Sequence, residues 1–161
     1  MESYDIDPEL LAGFIDETTE SLQYVEELLN DLRSTPEDID IINAIFRPIH
    51  SLKGTSGFFG LIKTKELSHV MENLMDAVKK GEKKATPEII DTLMAGLDQL
   101  FSIFERIHEG QDEVGDNEKY NKVKDHTEHL LLASDEEKKP DQESEQAKTL
   151  EAGQEAGKSE D

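Results

Sequence analysis

The stretch TPEIIDTLMAGLDQLFSIFERIHEG, residues 86–110, reads as one complete helix with both ends marked. Thr86 offers an oxygen to the first free amides, Pro87 takes the first helical position where its missing N–H is no loss, and Glu88 suits the positive end of the helix dipole. Ile90, Leu93, Leu97, Leu100, Phe104 and Ile107 then recur at steps of three and four, which makes one apolar face on a 3.6-residue period. Gly110 stands just past the last turn, where a left-handed residue ends a helix.

The same punctuation recurs outward from this segment. Asp7-Pro8-Glu9 and Thr35-Pro36-Glu37 repeat the start, Thr64 is read as the cap of another, and Gly60 and Gly81 repeat the stop. Helices are expected at about 8–33, 36–59, 64–80 and 87–109, with a fifth of weaker spacing from about 116 to 133. Leu11, Phe14, Thr18, Leu22, Val25, Leu29 and Leu32 form the apolar stripe of the first. Ile42, Ile45, Ile49 and Leu52 do so on the second, and Leu67, Val70, Leu74 and Val78 on the third. Met71, Met75 and Met94 read as core filler. Nothing alternates like a strand over a useful length. The fold class is therefore all-α: an antiparallel up-down-up-down four-helix bundle with a fifth C-terminal helix.

Residues 134–161 hold one leucine as their only large apolar side chain, and ten acids against four lysines. Such a stretch cannot offset the entropy of ordering itself, so a disordered acidic tail or linker is expected there and a helical domain over 1–133. The whole chain carries a net charge of −21 and no cysteine. The charge argues against nucleic acid and anionic membrane surfaces, and thiolate chemistry is excluded. No run approaches ~20 apolar residues and the N-terminus MESYDIDPEL is acidic, so neither membrane insertion nor a secretory leader is expected; the reading is a soluble, cytoplasmic protein.

One stretch does not read as packing. HSLKGTSGFFG, residues 50–60, holds three glycines in or just beyond a helix, and each interior glycine costs roughly 1 kcal/mol relative to alanine. Asn43, Arg47, His50, Gly54 and Gly57 share one face beside the core stripe, and bare backbone lies one turn from the imidazole. Pro48 frees a carbonyl just before it. If the second and third helices turn near residues 60–63, level positions sum to about 122. His50 then stands level with Glu72, and Lys53 with His69. A glutamate on one ring nitrogen of His50 would fix the tautomer and leave the other nitrogen as a lone pair, the nucleophile–orienter arrangement of covalent catalysis. Lys53 could neutralise an incoming phosphoryl group. No nucleotide-binding motif is present, so a partner would have to supply ATP.

Blander readings stand beside these. His50 could be an ordinary exposed histidine on an adaptor bundle, Lys53 a snorkelling lysine, and His69 a residue that only covers the site. His50, His69 and Glu72 could make a zinc set for a hydrolase, and His126 and His129 with Asp125 and Glu128 a second metal site, although Lys53 would repel a cation at the first. Phe58 and Phe59 read as packing at the helix end, with a docking surface as the alternative.

HSLKGTSGFFG resembles the histidine phosphotransfer (HPt) motif: the histidine, a hydrophobic residue, Lys-Gly, a small residue and a further glycine. IFRPIHSLKG before it and LSHVMENLMDAVKKGE after it are similar to the N-terminal phosphotransfer domain of CheA-type chemotaxis histidine kinases, over about residues 5–110. The resemblance implies that His50 accepts a phosphoryl group, that Glu72 holds Nδ1–H and activates the ring, and that Lys53 and His69 complete the network. It implies that Gly54 and Gly57 keep the surface open for docking, and Arg47, on the same face, is read with them as a docking residue. The donor would be a CheA-type ATP-binding kinase domain and the acceptor an aspartate of a CheY- or CheB-like receiver domain; ATP and Mg²⁺ belong to those partners, and no cofactor is expected on this chain. Pro48 is not required by the motif. Nothing after residue 133 resembles the further domains of such a kinase, so the sequence reads as the N-terminal part of a larger kinase, with a free-standing phosphotransfer protein as the alternative.

Overall fold

Five helices, α1 (Pro8–Ser34), α2 (Ile39–Phe58), α3 (Ile62–Lys79), α4 (Pro87–His108) and α5 (Asn117–Leu132), account for most of residues 6–133, which the computed structural model describes. Chain contacts separate two units, Met1–Leu131 and Leu132–Asp161. The helices form the first unit, and the acidic tail expected over 134–161 lies outside the described residues. The first four helices pack α1 on α2, α2 on α3, α3 on α4 and α4 back on α1, a closed ring in which α2 and α4 are diagonal. This is the expected bundle. The apolar stripes form its core: Leu22, Leu29, Ile45, Ile49, Leu67, Leu74, Leu93 and Leu100 have almost no exposed surface. Met71 and Met75 are fully enclosed among them, and Met94 is partly buried at their edge.

Most of the expected ends hold. Asp7 accepts from the Glu9 amide, Thr86 from the Ile89 amide, and Pro8 and Pro87 occupy first turns. Gly60, Gly81 and Gly110 have φ of 72°, 82° and 79°, the left-handed stops that glycine adopts without a Cβ penalty.

Two starts differ. The second helix does not begin at Pro36. Thr35 is the C-cap of α1, its hydroxyl donating to the Asp31 carbonyl, and Asp38 caps α2 by accepting from the amides of Asp40 and Ile41. A carboxylate aimed at two amides is the stronger cap, and Pro36 falls in the turn before it. Thr64 does not cap α3 either. The helix starts two residues earlier, and Leu61 at its N-cap has no capping side chain. Glu113, from the loop after α4, accepts from the amides of Lys63 and Thr64 and from the Thr64 hydroxyl. A distant carboxylate thereby does the work of a local cap.

The fifth helix begins where Asp116 accepts from the Lys119 amide. It holds to the bundle by side chains. Tyr120 is buried, donates to the Lys63 carbonyl at 2.6 Å, and its phenol is pushed up by burial and by the nearby charges of Glu66 and Glu113. Lys124 stands 3.8 Å from Glu66.

Candidate functional site

The site is carried by α2 and α3, whose antiparallel pairing follows from the tight turn at Gly60. The expected register holds: His50 Nδ1 is hydrogen-bonded to Oε2 of Glu72 across the two helices. A carboxylate only accepts, so Nδ1 carries a proton and Nε2 is the ring nitrogen not engaged by Glu72. Lys53, one turn along α2, places Nζ 2.8 Å from the other oxygen, Oε1.

Exposure is divided unevenly between the partners. The His50 side chain is 58% exposed, whereas that of Glu72 is 9% exposed. Burial alone raises the Glu72 carboxyl, but hydrogen bonds and charge from Lys53 and His50 outweigh it and hold the group below the ordinary carboxylate value. Glu72 is therefore an ionised anchor beneath an accessible imidazole. Phe46, one turn before His50 on α2, lies parallel to the imidazole at a centroid distance of 5.7 Å and an interplanar angle of 12°.

The surrounding face is open. Arg47, Gly54 and Gly57 are exposed on the same side of α2. A Cβ on Gly54 would meet nothing within 4 Å, and one on Gly57 would meet only the Lys65 side chain at 3.6 Å. The bundle itself has no need of glycine at either position. Arg47 and Pro48 border a shallow groove against Phe14 and Ser21 of α1. The two phenylalanines part company. Phe59 packs, its ring stacked on Phe14 at 4.7 Å, while Phe58 is 69% exposed.

His69 is not drawn into the network. It lies one turn from Glu72 on α3, is exposed, and takes no hydrogen bond or ion pair among the described residues. Among those residues no group of three or more ligating side chains converges as a metal site. The two oxygens of Glu72 face His50 and Lys53. His126 instead stands 3.7 Å from Glu88.

The site thus presents an exposed imidazole with one ring nitrogen held by a buried carboxylate. The family profile described as "Hpt domain" matches residues 9–103. The chain belongs to the Hpt domain family. Its curated relatives include the chemotaxis protein CheA of Bacillus subtilis, 37% identical over 99 residues, and the sensor histidine kinase CheAY of Helicobacter pylori, 31% identical over 122 residues. These alignments cover 62% and 76% of this chain but 15% of each relative, so the chain spans less than a sixth of either protein's length. Among solved structures, the CheA phosphotransferase domain from Thermotoga maritima is 37% identical with a TM-score of 0.60, covering 62% of this chain and 94% of that domain. The histidine phosphotransfer domain of CheA solved in solution is 33% identical with a TM-score of 0.68, covering 78% and 93%. The chain is thus a phosphotransfer domain of the kind found in CheA-type chemotaxis kinases, which act in two-component signalling. No described helix of this Hpt domain is long and apolar enough to cross a membrane.

Sequence reasoning missed Phe46 at the site, and Glu113, which supports the start of α3. Phe46 has a signal, its position one turn before His50. Glu113 has none, because its partners lie about fifty residues away.

Proposed function

We propose that His50 is the phosphoryl carrier of this Hpt domain. The observation that carries the reading is the buried, ionised Glu72 accepting from Nδ1 of an imidazole that is otherwise open to solvent. The Nε2 lone pair attacks the γ-phosphorus of ATP held by a separate CheA-type kinase domain. The N–P bond forms as the bond from phosphorus to the bridging oxygen breaks, and ADP leaves with that electron pair. The ring gains positive charge as the N–P bond forms. The Glu72 carboxylate at Nδ1–H offsets that charge without itself moving, which is electrostatic stabilisation by a preorganised group. Lys53 keeps Glu72 ionised and adds a cation beside the arriving phosphoryl group. In the second half-reaction an aspartate oxygen of a CheY- or CheB-like receiver domain attacks the same phosphorus and Nε2 leaves with the electron pair it donated. Mg²⁺ for each step belongs to the partners.

The exposed face of Arg47, Gly54 and Gly57 serves docking, since two partners must reach one histidine in turn. His69, exposed one turn from Glu72, covers the site or contacts the docked domain.

Incubation with a CheA-type kinase domain and labelled ATP should place acid-labile, alkali-stable label on the wild type and none on His50→Gln. A wild type unlabelled both by the kinase and by a small-molecule phosphodonor would instead make the domain an adaptor that binds partners without transfer.

A further inference from the structure

A single hydrogen bond restrains a ring without locking it. His50 is tethered at Nδ1, only a short way off the Cβ–Cγ axis, and its χ2 torsion joins an sp³ to an sp² carbon and has a broad profile, so the tether leaves the imidazole plane some room to rock. More than half of the side chain faces solvent, where nothing packs against it.

A second hold comes from the ring beside it. Phe46 lies nearly parallel to the imidazole, and a centroid distance of 5.7 Å at 12° describes an offset stack. Phe46 is itself held by two further contacts. It packs partly buried against the core, and Lys79, near the end of α3, places Nζ 4.3 Å from its ring centroid, within cation–π range. Helix α3 therefore reaches His50 twice: directly at the ring edge through Glu72, and at the ring face through Lys79 and Phe46.

We infer that Phe46, pinned by Lys79, is a positioning residue that fixes the plane of the His50 imidazole and so the direction of the Nε2 lone pair. The inference rests on the reading of His50 as phosphoryl carrier for its consequence, though not for its geometry. In-line transfer needs the lone pair, the phosphorus and the leaving oxygen aligned, and misplacement of a reacting group by about 1 Å can cost a hundredfold in rate. The edge tether limits rotation of the ring about χ2, and the face stack narrows what rotation remains.

The test compares wild type with Phe46→Leu, Phe46→Tyr and Lys79→Met. Two readouts are taken: the NMR order parameter of the His50 ring carbons in unphosphorylated protein, and the KM and kcat of labelling by a CheA-type kinase domain. Phe46→Leu should lower the ring order parameter and reduce kcat by about tenfold with KM within twofold, since alignment rather than binding is lost. Phe46→Tyr should restore both, and Lys79→Met should shift both in the same direction by a smaller amount. The exposed Lys79→Met tests the idea even if Phe46→Leu loses stability. A His50 ring as ordered in Phe46→Leu and Lys79→Met as in wild type would overturn the inference, whatever the kinetics show. Ring order is measured without phosphorylation. Absence of label on the wild type would therefore count against His50 as carrier, while the ring-order comparison would still decide the role of Phe46.

Discussion

At the residue scale the decisive pair is His50 with Glu72. A surface histidine is common; one whose inner nitrogen is fixed by a buried carboxylate, itself held ionised by a lysine, is not. Replacing Glu72 with glutamine keeps the shape and removes the charge. Glu72→Gln should therefore slow labelling of His50 by about a hundredfold, in the range that loss of one preorganised electrostatic partner costs, with binding of the kinase domain unchanged by titration. The same pair carries a pH signature. Because the folded-state value of Glu72 is depressed, its contribution to stability is full above the ordinary carboxylate value. That contribution is lost as the pH falls through the lower, folded-state value. The midpoint of urea unfolding should fall with acidity in that window more steeply for wild type than for Glu72→Gln; parallel curves would mean that the pair adds nothing to stability.

At the scale of the element, α2 carries a conflict between folding and contact. Gly54 sits in a helix interior, exposed, with open space where a Cβ would go. Alanine there should stabilise the domain by about 1 kcal/mol through helix propensity, and bulkier residues should slow transfer by obstructing docking. Thermal unfolding of Gly54→Ala and labelling rates of Gly54→Leu separate the two effects. A Gly54→Leu variant that transfers at the wild-type rate would remove the docking explanation for this glycine. Helix α3 shows the opposite device, an end supported from far away. Its first amides bind Glu113, and Glu113→Ala should destabilise the fold by about 1 kcal/mol, as loss of an N-cap does, read from the shift of the urea midpoint.

These two helices also show what sequence can and cannot tell. The stripe from Ile42 to Leu52 and the left-handed stop at Gly60 are local signals, and a shared turn converts them into the His50–Glu72 register by arithmetic alone. Asp38 is masked because a threonine-proline pair three residues earlier offers the same local pattern, and geometry chooses the carboxylate. Glu113 is beyond reach in principle, since capping from another loop leaves no mark near Leu61. Gly96 is silent too. On α4 it lies so near Met71 that an added Cβ would fall 2.7 Å from the sulfur, a requirement of the α3–α4 approach that periodicity does not register.

At the scale of the whole molecule, the closed ring of helices separates chemistry from support. The reacting groups lie on α2 and α3, and α4 stands diagonally across from α2, touching α1 and α3 instead. A cavity made in α4 should therefore weaken the bundle without disturbing the register that joins His50 to Glu72. Leu97, 1% exposed in the middle of α4, provides the case. Leu97→Ala should lower the stability of unfolding by about 2–5 kcal/mol, the range for emptying a buried leucine site. Labelling of His50, measured well below the lowered Tm so that the folded population stays near unity, should proceed within twofold of wild type. A large loss of rate in fully folded Leu97→Ala would show that the α2–α3 register depends on packing from the far side of the bundle. In that event the network at His50 would be a property of the whole ring of helices rather than of the hairpin that displays it.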